Sequence, residues 1–189
     1  SGVSFRGAQQ SARVNNLVCR GFGPATGLFL GGDTYTVSDL FVDATKGGDP
    51  SATVAGSTGI ELVGRVYSLA LNNLTTHNCS RGLQWADAHQ VRFTNFETEL
   101  TAKPIVSTYN AIGVCFRNCS FRHTKEIIDI QKARWPKEYG VEISGMMSDH
   151  VTGRVILEGT QTVTSRAFDL VIEGDQRGVA VFDKKKNRV

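Results

Sequence analysis

Val91-Arg92-Phe93-Thr94-Asn95-Phe96 is the stretch whose reading decides the fold. Apolar and polar residues alternate, then an Asn appears, then another apolar residue. The same phrase returns as Leu69-Ala70-Leu71-Asn72-Asn73-Leu74 and as Val114-Cys115-Phe116-Arg117-Asn118-Cys119. Looser copies pivot on Asn16, Asp39, Gly145 and Asp169. Successive pivots lie 23, 34, 22, 23, 27 and 24 residues apart. A second phrase, a small residue followed by Leu, Ile or Val, keeps step at Gly27-Leu28, Gly59-Ile60, Gly82-Leu83, Pro104-Ile105, Glu126-Ile127, Gly153-Arg154-Val155 and Gly178-Val179. Two phrases in register at a period of this length are the signature of a solenoid.

The apolar period inside each repeat is two, which makes the segments strands rather than helices. Asn suits the pivot because it tolerates left-handed backbone angles and bonds locally. Stacked Asn side chains can also bond from coil to coil. The expected architecture is all-β: a single-stranded parallel β-helix of about seven coils, with three short strands per coil. Neighbouring coils then lie about 4.8 Å apart. One domain spans 1–189, with inserted loops at 43–58 and 133–139. The chain begins and stops in mid-coil, and open coil ends expose unpaired strand edges. The expectation is a segment of a longer polypeptide.

The period, the Asn at the turn and the inward aliphatic stacks resemble right-handed parallel β-helix proteins. That group includes pectate lyases, polygalacturonases and bacteriophage tailspikes. The right-handed winding is implied by this resemblance, not by the spacing. So is a tailspike or tail-fibre role: binding, and in many such proteins cleaving, a bacterial surface polysaccharide as a parallel homotrimer. The place implied is the virion tail, or the extracellular space after release, following synthesis in a cytoplasm. The Asp-Asp and Gly-His-Gly motifs of polygalacturonases are absent, as is a pectate-lyase calcium cluster. This leaves the looser tailspike type.

Composition narrows the classes further. A net charge of +3 is too small to imply nucleic acid, and much of the excess sits in Lys184-Lys185-Lys186-Asn187-Arg188. No apolar run is long enough to insert in a bilayer. The four Cys form neither a disulfide framework nor a zinc pattern, and no metal or cofactor is expected. Cys19 and Cys119 fall at inward positions, where Cys acts as a small hydrophobe.

Alternation assigns the exterior. The third-strand inward pairs are Leu17/Cys19, Leu40/Val42, Leu74/Thr76, Phe96/Thr98, Cys119/Phe121, Met146/Ser148 and Leu170/Ile172. The outward column is then Arg20, Asp43, His77, Glu99, Arg122, Asp149 and Glu173, with Thr75, Glu97 and Ser120 beside it. Glu97 and Glu99 point the same way, about 6–7 Å apart. Paired carboxylates serve glycosidic cleavage as acid and base or nucleophile, and this spacing suits an inverting enzyme. Glu97 and Glu99, assisted by Asp43 and His77, are the candidate catalytic residues. A column of alternating charges is equally the ordinary exterior of a solvated sheet.

Trp135 and Tyr139 are candidate sugar platforms, with Lys137 and Glu138 as polar partners, and Arg122 is a further candidate for substrate binding. Trp85 is assigned to the core. Asp87 and His89 form a second acid–base candidate, although turn chemistry also explains Asp87. The outward positions of the first strand, Phe29, Glu61, Gln84, Val106, Ile128, Ile156 and Ala180, become apolar towards the C-terminal end. Such a column implies a covered face, covered by a neighbouring subunit or by flanking chain. Two alternatives to the tailspike role remain: a secreted monomeric polysaccharide lyase or hydrolase, and a purely structural shaft.

Overall fold

The computed structural model describes residues 2–5, 12–45, 52–124, 128–130, 141–149, 155–157, 170–173 and 181–182. Those residues form an all-β parallel solenoid with no helix, about 4 turns of it continuously described. In chain order the strands are β1 (Val3–Phe5), β2 (Ala12–Arg20), β3 (Thr26–Asp33), β4 (Tyr35–Asp43), β5 (Val54–Tyr67), β6 (Ala70–His77), β7 (Cys79–His89) and β8 (Arg92–Glu99). They continue as β9 (Lys103–Ile112), β10 (Val114–Arg122), β11 (Ile128–Ile130), β12 (Val141–Asp149), β13 (Val155–Leu157), β14 (Leu170–Glu173) and β15 (Val181–Phe182). Odd strands stack in one sheet and even strands in the other, and every pairing is parallel.

The pivots behave as the residue chemistry requires. Asn16, Asp39, Asn73, Asn95 and Asn118 all have φ between 53° and 56°. They bend the even strands without ending them. Asn73 Nδ2 donates to Asp39 Oδ1, and Asn95 Nδ2 donates to Asn73 Oδ1, both at 2.9 Å. This is an amide ladder along the solenoid. Asn95→Ala removes a residue tolerant of the left-handed region and one rung of the ladder. It is expected to cost about 2 kcal/mol. Asn95→Gly, which keeps the backbone angle, should cost less, and urea midpoints read the order.

The odd strands bend differently. Their pairings slip between Leu30 and Gly32, between Leu62 and Arg65, and between Trp85 and Asp87. These stacked bulges turn each strand onto a second face. The ladders therefore count two bent strands per coil where the sequence reading expected three short ones. The expected break near residue 86 is a bulge, which bends the backbone while pairing resumes beyond it.

The core runs down the axis. All the inward pairs expected on the even strands stack in register. Of these, Leu40, Val42, Leu74, Phe96, Cys119 and Phe121 are buried, and Thr76 and Thr98 are 0% exposed. Trp85 is also fully buried, beside Phe93 and Phe116, whose own rings stack 4.6 Å apart. The small residue of the second phrase is explained at Gly82: a Cβ there would lie 2.8 Å from the Pro104 carbonyl oxygen of the next coil.

Two expectations on the odd sheet are corrected. β11 pairs Ile128 with Ile105 and Asp129 with Val106, so Ile128 holds the register place of the inward column and Asp129 that of the outward one. Neither Ile128 nor an unbroken apolar run belongs to that outward column. Its later places are Ile156 and Phe182, with Val181 rather than Val179 in the inward register. Ala180 lies outside the described residues, as do Trp135, Lys137 and Tyr139, the loop 133–139, the basic run 184–188 and residues 46–51 of the loop 43–58.

Candidate functional site

The outward face of the even sheet carries the expected column. The ladders align Arg20, Asp43, His77, Glu99, Arg122, Asp149 and Glu173 residue for residue. The adjoining column runs Val18, Phe41, Thr75, Glu97, Ser120. Each position follows from strand parity, because the core claims the alternate residues.

Glu97 and Glu99 share this face, with side chains 40% and 34% exposed. They do not pair with one another's neighbours symmetrically. His77 Nε2 stands 3.8 Å from Glu99 Oε2, while Arg122 reaches past its ladder partner to lie 3.6 Å from Glu97 Oε1. The His77 ring meets Phe41 edge-on at 5.0 Å, and the Arg20 guanidinium lies 4.8 Å over the same ring. Asp43 keeps its place in the column, but its Oδ1 accepts the Thr45 backbone N–H at 2.9 Å. The structure thus joins His77 to Glu99 and Arg122 to Glu97, and turns Asp43 towards the start of its own loop. At these exposures each of the two contacts adds little stability. What results is an open, polar face with one aromatic ring, able to hydrogen-bond an extended ligand.

A more enclosed cluster lies past the bulge of the odd strands. Asp87 Oδ1 is 2.8 Å from His89 Nε2, and Asp87 Oδ2 accepts from Arg65 Nε at 2.6 Å. The Asp87 side chain is 11% exposed and that of His89 18%. The Tyr67 ring packs 4.5 Å from the His89 ring. Hydrogen bonding to Asp87, and then to Tyr67, pushes the Arg65 guanidinium above its usual pKa. A carboxylate that holds one imidazole nitrogen orients the ring and leaves the other nitrogen to exchange a proton. Sequence reasoning found Asp87 and His89 but missed Arg65 and Tyr67. The signal was present: Arg65 to Asp87 and Tyr67 to His89 are each 22 residues, the spacing from Asn73 to Asn95. The bulge sets that register.

At the corner that follows, Ser68, Leu69, Ala70, Gln90, Arg92 and Gly113 line a half-open hollow of about 410 Å³. Among the described residues no group of three or more His, Cys, Asp and Glu side chains is placed to hold a metal ion. Among the described residues there is no helix long and apolar enough to cross a membrane, a statement that leaves β-barrels aside. The four cysteines are free, with Cys19, Cys79 and Cys119 buried and Cys115 half-buried. Burial raises the thiol of Cys19, and pushes those of Cys79 and Cys119 up to about 12.

No protein-family model, no curated protein and no solved structure matches the chain, so the chemistry of these two faces rests on their own geometry.

Proposed function

We propose that the chain is a β-helix segment of a bacteriophage tailspike or tail fibre, right-handed and of about seven coils, that binds a bacterial surface polysaccharide along the outward face of its even sheet. The observation that carries this reading is the unbroken register of the column from Arg20 to Glu173. It offers one polar position per coil, repeated about every 4.8 Å along a straight line. A linear chain of sugar rings needs a surface of that kind, with hydrogen-bonding groups at regular intervals and a ring such as Phe41 to stack on.

Binding suits the face better than cleavage. Glu97 and Glu99 are open to water, and each has a basic group beside it. Transition-state stabilisation by fixed charges gains most in a site from which water is excluded. The parallel homotrimer and the place in a virion tail belong to the same proposal. Ile156 and Phe182, at outward register positions of the odd sheet, support a covered face there.

The test is a titration of the full chain, with its mass first fixed by light scattering, against capsular and O-antigen oligosaccharides. One of them should bind, and Glu99→Gln should weaken it roughly tenfold, the size of one charge-assisted hydrogen bond. No binding across the panel would favour the structural shaft. The alternative of a secreted monomeric lyase or hydrolase draws support from the Asp87–His89 pair. It would be favoured by a monomeric mass together with new reducing ends or new ultraviolet absorbance from uronate substrates.

A further inference from the structure

We infer that the hollow at the corner between the odd and even strands is a second glycan subsite, one that takes a carboxylate-bearing sugar unit and holds its charge on Arg92. The inference rests on the reading of the chain as a polysaccharide binder and adds to it the class of sugar and a separate place on the rod.

The hollow has a structural origin. At this corner successive coils place Thr34, Ser68, Gln90 and Gly113, all with left-handed backbone angles. Gly113 carries no side chain, and a Cβ there would find nothing nearer than Gln90 at 3.9 Å. In the adjoining column Thr36, Ala70, Arg92 and Cys115 are in register, and Ala70 is the smallest of them. A missing side chain on one coil and a methyl group on another leave a gap about 410 Å³ in volume. That is within the range of small-ligand sites.

Its lining is suited to an acidic sugar. Arg92 is exposed, and its guanidinium makes no ion pair or side-chain hydrogen bond among the described residues. This contrasts with Arg65 and Arg122, which face Asp87 and Glu97. An arginine fork matches a carboxylate in two parallel hydrogen bonds. Ser68 Oγ donates to Gln90 Oε1 at a long 3.3 Å, so both side chains can re-aim towards sugar hydroxyls at little cost. The hollow lies one residue along the chain from Tyr67 and His89, which end the odd strands.

The experiment uses the full chain and a glucuronate-containing disaccharide, with its carboxyl-reduced counterpart as control, followed by calorimetry or by NMR line broadening. The acidic sugar should bind at least tenfold more tightly than the reduced one. Arg92→Gln should abolish that difference. Gly113→Asn should weaken binding by filling the hollow while leaving thermal unfolding close to the parent's, because Asn accepts the left-handed angle there as it does at residue 95. Glu99→Gln should not alter this binding. Equal affinity for the two sugars, full affinity in Arg92→Gln, or displacement by inorganic phosphate at the same concentration as by the sugar would each overturn the inference. Loss of the Arg92 effect with the Glu99 effect intact would sink the subsite alone, leaving the polysaccharide reading in place.

Discussion

Phe93→Ala is expected to destabilise the solenoid by about 3–5 kcal/mol, the cost of deleting a fully buried aromatic ring. The ring is 0% exposed and is wedged between coils. It stacks on Phe116 at 4.6 Å with only 8° between the planes, and it faces Trp85 across the axis at 6.3 Å. Trp85 in turn approaches Phe116 at 6.1 Å. Removing Phe93 takes away one ring of this mutually packed group of three, and neither neighbour can close the gap, because each is fixed in its own coil by strand pairing on both sides. A domain has only about 5–15 kcal/mol of stability to lose. Urea unfolding followed by tryptophan fluorescence should therefore show a much lower midpoint. Phe93→Leu, which fills most of the space, should recover much of the loss. An unchanged midpoint for Phe93→Ala would mean that the rings are not packed as described.

The second large effect is with pH. Burial pushes the thiols of Cys79 and Cys119 up to about 12, from 9.0 for the free group. The folded chain thus keeps two protons that the unfolded chain releases above pH 9. The stabilisation is complete below pH 9 and is lost as pH rises towards 12. Three pH units correspond to about 4 kcal/mol for each thiol. Stability should fall steeply across that window. The double variant Cys79→Ala/Cys119→Ala, less stable at neutral pH because of the space it leaves, should show a flatter profile there. Parallel profiles for the two proteins would refute the assignment. At pH 8 the same burial should leave both thiols unreactive towards iodoacetamide until the chain unfolds.

Much of the fold is legible in the sequence because two constraints act on single residues. Strand parity forces Leu40, Leu74 and Phe96 inward, and the left-handed corner calls for Asn73, Asn95 and Asn118. Parity fails where the backbone slips. At Ile127 and Ile128 two apolar neighbours compete for one inward place, and only the ladder to Ile105 decides between them. At the bulge beyond Trp85 the count shifts, so the meeting of Arg65 with Asp87 needed the repeat spacing as well as the alternation. Side-chain partners on the open face were the least legible. The column gave Arg122 the neighbour Glu99, yet a long side chain reaches diagonally, and its contact is Glu97. Backbone register is set by the pattern of the whole chain, whereas a rotamer on an exposed face is set by small local energies.

The parallel stacking of nearly equal coils makes rod length a quantity that changes in whole units. Asn73 and Asn95 occupy equivalent pivots 22 residues apart, and Asn72 lies opposite Thr94 in the ladder. Excising 73–94 would join Asn72 directly to Asn95, keep every remaining residue on its own face, and shorten the rod by one rise. Gene duplication or unequal crossing-over within such a repeat can lengthen or shorten the shaft while the surface chemistry of the surviving coils is inherited unchanged. Length and surface chemistry can then vary separately over evolutionary time, one by counting coils and the other by exchanging the residues that face outward.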